Sequence, residues 1–358
     1  MHFYSVITGT GNYLPEVIIS NHDFKNQVFY DSSGERLSKT TSEIVEKFEQ
    51  ITDIKERRHV SDNLVTSDIA TLAAEEALHS SNTDKEQLDY IIVAHNFGDV
   101  KADNKKSDLV PSLAARVKCK LGIENPFTVA YDLPFGCAGW LQGLIQADYY
   151  LKSGDAKRIL VIGAEVLSRV SDPYDRDSML YADGAGAVIV EARESKEPVG
   201  ILAHLTRSDT IECAHLLRMD KSNNKAYDGK ALFLKMEGRK LYEYALKTVP
   251  QAIKQGLEKA KLPIEAVAKV LIHQANGKMD DAILKRLFGL YGKVELPQNI
   301  MPMTISWLGN ASVATIPTLL DLLLKGQLEN QEVKSGDIIV FASVGAGMNI
   351  NTVIYRLP

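Results

Sequence analysis

Two strand-like stretches of this chain recur, in the same order and at nearly the same spacing. DYIIVAHN begins at Asp89 and AKVLIHQAN at Ala268, 179 residues apart; KSGDAKRILVIGAE begins at Lys152 and KSGDIIVFASVGAG at Lys334, 182 apart. The repeat therefore predicts two similar α/β halves, 1–192 and 193–358, meeting in the polar run Arg193–Pro198. A length of 358 residues accommodates two such units.

Within the first half, short apolar runs alternate with helical spacing. Strands are expected at Tyr4–Thr8 (broken by Gly9 and Gly11), Tyr90–Ala94, Thr128–Asp132, Arg158–Gly163 and Gly186–Glu191. Helices are expected at Ser67–Leu78 with Ser67 as N-cap, at Leu113–Leu121, and from Cys137 to Lys152, ending at Gly154. Strands alternating with helices indicate an α/β fold with buried strands. The polar stretches 99–110 and 219–229 read as loops.

Composition excludes several classes of function. Hydrophobic residues make up 45% and charged residues 24%, enough apolar content to build a core. The net charge of −5 disfavours nucleic acid as the main partner. There are three cysteines, Cys119, Cys137 and Cys213, too few and too unevenly placed for a disulfide framework. No zinc-type spacing occurs, so no metal is expected. With neither a membrane-length apolar run nor a secretory leader pattern, no membrane insertion is expected and the expected location is the cytoplasm.

Three positions could carry chemistry. Cys137, in YDLPFGCAGW, follows a strand and a turn and opens a helix, where free N–H groups favour a thiolate. It reads about equally as a nucleophile or as a buried structural cysteine; Cys119 and Cys213 lack this context. His273, in KVLIHQANGKM, follows a strand directly, at the end where open α/β sheets keep their ligands. It reads as a donor or proton shuttle, or, slightly favoured on this segment alone, as a core histidine bonded to backbone. Asn310, in SWLGNASVATIP, precedes a helical run from Ala314 to Leu324 and reads as an N-cap or as a donor to a carbonyl oxygen. The order Cys, His, Asn also occurs in papain-like proteases, but those surround the cysteine differently and lack two similar halves.

Together the segments GCAGW, DGAGAV, HQAN, GNAS and SVGAGMN, with the opening ITGTGNYLPE and IKERRHVSD, resemble the β-ketoacyl-acyl-carrier-protein synthase III family of thiolase-fold condensing enzymes, over nearly the whole chain. The resemblance implies a thiolase-like α/β fold: two duplicated βαβαβαββ halves in five layers, as a homodimer. It implies that Cys137 accepts an acyl group from a thioester, and that His273 and Asn310 bind the malonyl thioester carbonyl, promote decarboxylation and stabilise the enolate. The backbone N–H groups of Cys137 and Ala346 match the oxyanion hole. Lys278 stands where the family has an arginine facing the acyl carrier protein, with Arg239 and Lys240 as further basic candidates. Acyl-coenzyme A and acyl-carrier-protein thioesters are the implied substrates, with no cofactor.

Some features depart from that pattern. The stretch SEIVEKFEQIT at Ser42–Thr52 has neither the tryptophan nor the arginine that acetyl-CoA-primed members use around the adenine. Val110 stands where the family places a bulky aromatic at a dimer-contributed floor of the acyl pocket. Extra residues in 23–50 and 97–110 point the same way, to a longer or unusual acyl group in a secondary-metabolite pathway. Alternative functions are an enzyme joining two acyl thioesters, as in alkylresorcinol- or quinolone-type pathways, an acyltransferase, or a non-catalytic structural partner subunit.

Overall fold

The computed structural model describes residues 2–358. Its strands are β1 (His2–Tyr13), β2 (Val17–Ser20), β3 (Glu56–His59), β4 (Tyr90–Ala94), β5 (Val129–Leu133), β6 (Arg158–Val166), β7 (Asp183–Ser195), β8 (Gly200–Ser208), β9 (Leu217–Asp220), β10 (Phe233–Met236), β11 (Val267–Ile272), β12 (Ile338–Gly345) and β13 (Asn349–Arg356). The helices are α1 (Thr41–Thr52), α2 (Thr66–Ser81), α3 (Leu113–Lys120), α4 (Gly139–Ser153), α5 (Gly238–Ala260), α6 (Gly277–Gly289), α7 (Ile305–Leu308) and α8 (Thr315–Leu324).

Two sheets carry the fold. One is five-stranded in the order β1-β7-β6-β4-β5, the other four-stranded in the order β8-β13-β12-β11. The orders correspond strand for strand, and in each sheet the parallel pairs are those joined through helices: β4 with β5 and β6, and β11 with β12. The place of a fifth strand in the second sheet is taken by 298–303, which reaches β11 through the Val270 N–H donating to the Ile300 carbonyl at 2.8 Å.

The two sheets share a core. Trp140, Leu141 and Leu144 of α4 and Ile316, Leu319 and Leu320 of α8 are buried with Ile92 and Val161 of the first sheet and Ile339, Phe341 and Val353 of the second. Outside the first sheet lie α2 and α3, and outside the second α5 and α6. Five layers result, and the central helix layer begins where the candidate residues are.

Three local readings are corrected. Gly9 and Gly11 do not break β1. A Cβ on either would lie 2.5 Å or less from a backbone atom of α2 at Ala77 or Ala73, so these glycines let the helix sit on the strand. The N-cap of α2 is Val65, and Ser67 instead gives its hydroxyl to Asp99 at 2.7 Å. Arg193–Ser195 continue β7 as the partners of His2–Tyr4, so the polar break starts only at Lys196. Among the described residues no helix is long and apolar enough to cross a membrane.

Candidate active site

The first-sheet contribution begins at the end of β5. A single 3₁₀ turn, Gly136–Ala138, leads from Phe135 into α4 and carries Cys137. Gly136 needs to be glycine twice over: its φ is +60°, and a Cβ there would lie 2.4 Å from the Ala346 nitrogen. Gly345 is as constrained, since its Cβ would lie 2.2 Å from the Cys137 nitrogen. The two backbones therefore pass in close contact where both Cys137 and Ala346 line the cavity.

The second sheet repeats the device. Ser312–Ala314 form the 3₁₀ turn that opens α8, and Ser312, like Gly136, has positive φ, at +51°. A serine holds this strained position and keeps a hydroxyl that glycine would lack. That hydroxyl donates to Cys137 Sγ at 3.3 Å, and the Ser312 N–H donates to Asn310 Oδ1 at 2.8 Å. With its oxygen so occupied, the Asn310 amide has its NH₂ free to donate. Asn310 is not the cap of α8, which is Ala314. Its backbone is tied to the other half, its N–H donating to the Leu180 carbonyl and its carbonyl accepting from the Ala182 N–H, each at 2.9 Å.

His273 is the first residue after β11 and is buried, its N–H donating to the Ala342 carbonyl at 2.9 Å. Its Nδ1 has no partner among the described residues, and burial pulls the imidazole down to about 4, leaving it neutral at pH 7. Gln274 anchors the turn behind it, accepting from the N–H groups of Thr304 and Ile305 at 2.8 and 2.9 Å. Asn276, the second polar group of that segment, caps α6 by accepting from the Met279 N–H at 3.1 Å.

Behind the cysteine lies a network that sequence reasoning missed. Glu165, fully buried on β6, accepts from Asn96 Nδ2 at 2.6 Å, and the same amide nitrogen lies 3.4 Å from the Ser312 hydroxyl. Burial pushes Glu165 up to about 7, against the pull of His95. Burial likewise pushes the Cys137 thiol up to about 11; the Ser312 hydrogen bond opposes this and Glu165 adds to it. Against the expected resting thiolate stand the burial around the sulfur and the nearby Glu165, while Cys137 itself is only half-buried and opens onto the cavity.

Cys137, His273, Asn310, Ser312 and Ala346 line one cavity of about 700 Å³. Ile44, Phe48 and Ile51 of α1 supply part of its apolar wall, so the segment with extra length forms cavity wall. Val110 is not among the lining residues; it is 86% exposed, on a loop tied down by Arg116 to Asp99 and Asp108 at 2.7 Å each. Lys278 is exposed in the first turn of α6. Arg239 pairs with Glu243 and Lys240 with Glu237, which reduces their value as free cations. Among the described residues no cluster of three or more His, Cys, Asp or Glu is placed to hold a metal.

Residues 131–210 match the family model described as 3-oxoacyl-[acyl-carrier-protein (ACP)] synthase III, and residues 257–357 match its C-terminal model. The chain is 32% identical to a β-ketoacyl-[acyl-carrier-protein] synthase III of Ehrlichia canis over 99% of both chains. It is 33% identical to that of Paracoccus denitrificans over 98% of this chain and 99% of the relative. The chain belongs to the 3-oxoacyl-[acyl-carrier-protein] synthase III family. The crystal structure of the Aquifex aeolicus 3-oxoacyl-[acyl-carrier-protein] synthase III is similar with a TM-score of 0.80 at 31% identity, covering 98% of this chain and 99% of that one. The priming β-ketosynthase of the R1128 polyketide pathway is similar at 0.81 and 25% identity, covering 100% of this chain and 97% of that one. The five layers are accordingly those of the thiolase-like fold, and the synthase III member described here is an acyltransferase of the condensing type. Chemistry of this family runs on thioesters, with no metal or organic cofactor.

Proposed function

We propose that Cys137 takes an acyl group from an acyl thioester and that the acyl-enzyme condenses with malonyl-acyl-carrier-protein, with loss of carbon dioxide. The observation that carries this reading is the convergence of Cys137, His273 and Asn310, from both sheets, on one largely apolar cavity. In the first half-reaction the Cys137 sulfur attacks the thioester carbonyl, the N–H groups of Cys137 and Ala346 donate to the oxyanion, and its collapse breaks the donor's C–S bond and releases the donor thiol, which takes the proton given up by Cys137. In the second, the neutral His273 and the oriented Asn310 amide donate to the malonyl thioester oxygen, where charge collects as carbon dioxide leaves. The enolate carbon then attacks the acyl-cysteine and the thiol is released.

Acyl carrier protein is the proposed partner, approaching over Lys278. A homodimer is supported by β5, an edge strand that leaves Val129 exposed beside Phe127. In it Val110 would contribute to the second copy's pocket. The apolar wall supplied by α1 favours a primer longer than acetyl, in fatty-acid or secondary-metabolite synthesis in the cytoplasm. Division into a cysteine-bearing half and a half bearing His273 and Asn310, expected at 192/193 and moved to the end of β7 at Ser195, is part of the same reading.

The test is incubation with a panel of acyl thioesters, mass spectrometry of the Cys137 peptide, then addition of malonyl-acyl-carrier-protein. A β-ketoacyl product that requires Cys137 is expected. Acyl transfer without carbon–carbon bond formation would overturn the condensing role, and an unmodified Cys137 with every donor would overturn the whole assignment.

A further inference from the structure

Two polar groups in the wall of the acyl cavity are left unused by bonding within the chain. Tyr181 is 4% exposed, and its hydroxyl has no partner among the described residues. It packs with Leu167, Leu180, Phe48, Leu234 and Met236, contacts that a phenylalanine would keep without burying a lone hydroxyl. Its backbone is bridged to Asn310, which places it beside the reacting centre.

The second group is the Asp177 carboxyl, in the same wall. Its neighbours Asp172 and Asp175 are both held by Lys235, at 2.5 and 2.9 Å, and Asp172 also accepts from the Asn223 N–H at 2.7 Å. Asp177 has only Arg176, at 4.0 Å, and its side chain keeps 29% of its surface open toward the cavity. Burial, with Asp175 alongside, pushes Asp177 up to about 7. Burial raises the Tyr181 phenol too, with Asp177, Asp175 and Cys137 acting in the same direction, and all four residues line the one cavity.

We propose that the acyl group loaded onto Cys137 carries a hydroxyl near its thioester end, bonded by Tyr181 and Asp177; this rests on the condensing-enzyme reading above. A hydroxyl fits both partners, since it accepts from the phenol and donates to the carboxylate. An ammonium would sit against Arg176 and Lys235. The specificity is expected to be steep, because a site built to bond a substrate hydroxyl leaves its own polar groups unpaired when the hydroxyl is missing.

The experiment is a competition for Cys137 of the full-length enzyme among β-hydroxydecanoyl-, terminally hydroxylated decanoyl- and unsubstituted decanoyl-coenzyme A, read by intact mass. The wild-type enzyme is expected to load the β-hydroxy donor at least about tenfold faster than either competitor. Tyr181→Phe should reverse the order in favour of the unsubstituted chain. Asp177→Asn, a second variant independent of Tyr181→Phe folding, should narrow the preference, since an amide nitrogen replaces one acceptor. Equal or better loading of the unsubstituted chain by the wild type, or an unchanged preference in both variants, would overturn the proposal and leave the condensing role standing. Failure of Cys137 to load any donor would sink both.

Discussion

The hydroxyl of Ser312 donates to the sulfur of Cys137 across the junction of the two sheets, at 3.3 Å. Because the same residue's N–H fixes the Asn310 side chain, one strained serine positions both the proposed nucleophile and the amide proposed to bind the thioester carbonyl. Its counterpart before α4, Gly136, has the same left-handed backbone and no side chain. The two turns thus share a conformation and divide the work: one opens space for the Ala346 N–H, the other supplies a hydrogen bond.

Ser312→Ala should make Cys137 less reactive. A hydrogen bond to a charged acceptor contributes about 1.5–3 kcal/mol, so losing it disfavours the thiolate. Alkylation of Cys137 by iodoacetamide at fixed pH should fall roughly tenfold or more by that measure. In the wild type the labelling rate should climb with pH toward about 11, since burial holds the thiol there. Peptide mapping across a pH series checks both. A plateau near pH 7, unchanged in Ser312→Ala, would contradict the geometry.

Glu165→Gln should stabilise the protein above neutrality and do little in acid. The folded carboxyl is raised to about 7 from 4.5, so the folded state holds a proton that the unfolded state has released between those values. The contribution of Glu165 to stability is therefore greatest below about 4.5 and declines as pH rises to 7, by about 3 kcal/mol in all for a shift of this size. The glutamine variant cannot ionise and should lack that decline. Urea unfolding at pH 5 and pH 8 measures it, and equal wild-type and variant slopes would refute the burial argument.

Much of this site was legible because its residues stand at element ends. Tyr90–Ala94 is a strand over the residues expected, and His273 follows β11 as its position after KVLI required. The helix terminus is a local cue to the state of the Cys137 thiol, whereas Glu165, which opposes ionisation there, stands on β6 and leaves no mark beside GCAGW. Ser312 was quoted within GNAS, but its bond to Cys137 spans a sequence separation of 175 and leaves no local pattern. Gly9 and Gly11 misled for a related reason: their glycine character answers to α2, some sixty residues on, and not to a local turn.

His273→Ala and Asn310→Ala should separate the half-reactions. Neither side chain is assigned to the first, so Cys137 should still accept an acyl group from a thioester. Each removes one donor to the malonyl oxygen, and release of carbon dioxide should fall by roughly 10²–10³-fold. Labelled malonyl-acyl-carrier-protein, with acylation followed by intact mass, reads the two steps in one sample. Unchanged decarboxylation in both variants would show that other groups bear the charge.

Val110→Phe tests whether chain length is limited from across a dimer. The side chain is 86% exposed on its own chain and outside its own cavity, so a change there should not alter an isolated subunit's pocket. If β5 edges meet in a homodimer, the loop bearing Val110 faces the second copy, and a larger side chain shortens the pocket there. Each methylene buried gains about 0.8 kcal/mol, close to fourfold per carbon, so the wild type should favour chains of about six to ten carbons over acetyl. The phenylalanine variant should lose that preference while still loading short groups. Acylation rates for a series of donor lengths, with sedimentation to confirm the oligomeric state of both proteins, decide the matter. An unchanged length profile in a dimeric Val110→Phe would place the floor elsewhere, and a monomeric wild type would remove the basis for any contribution from a second chain.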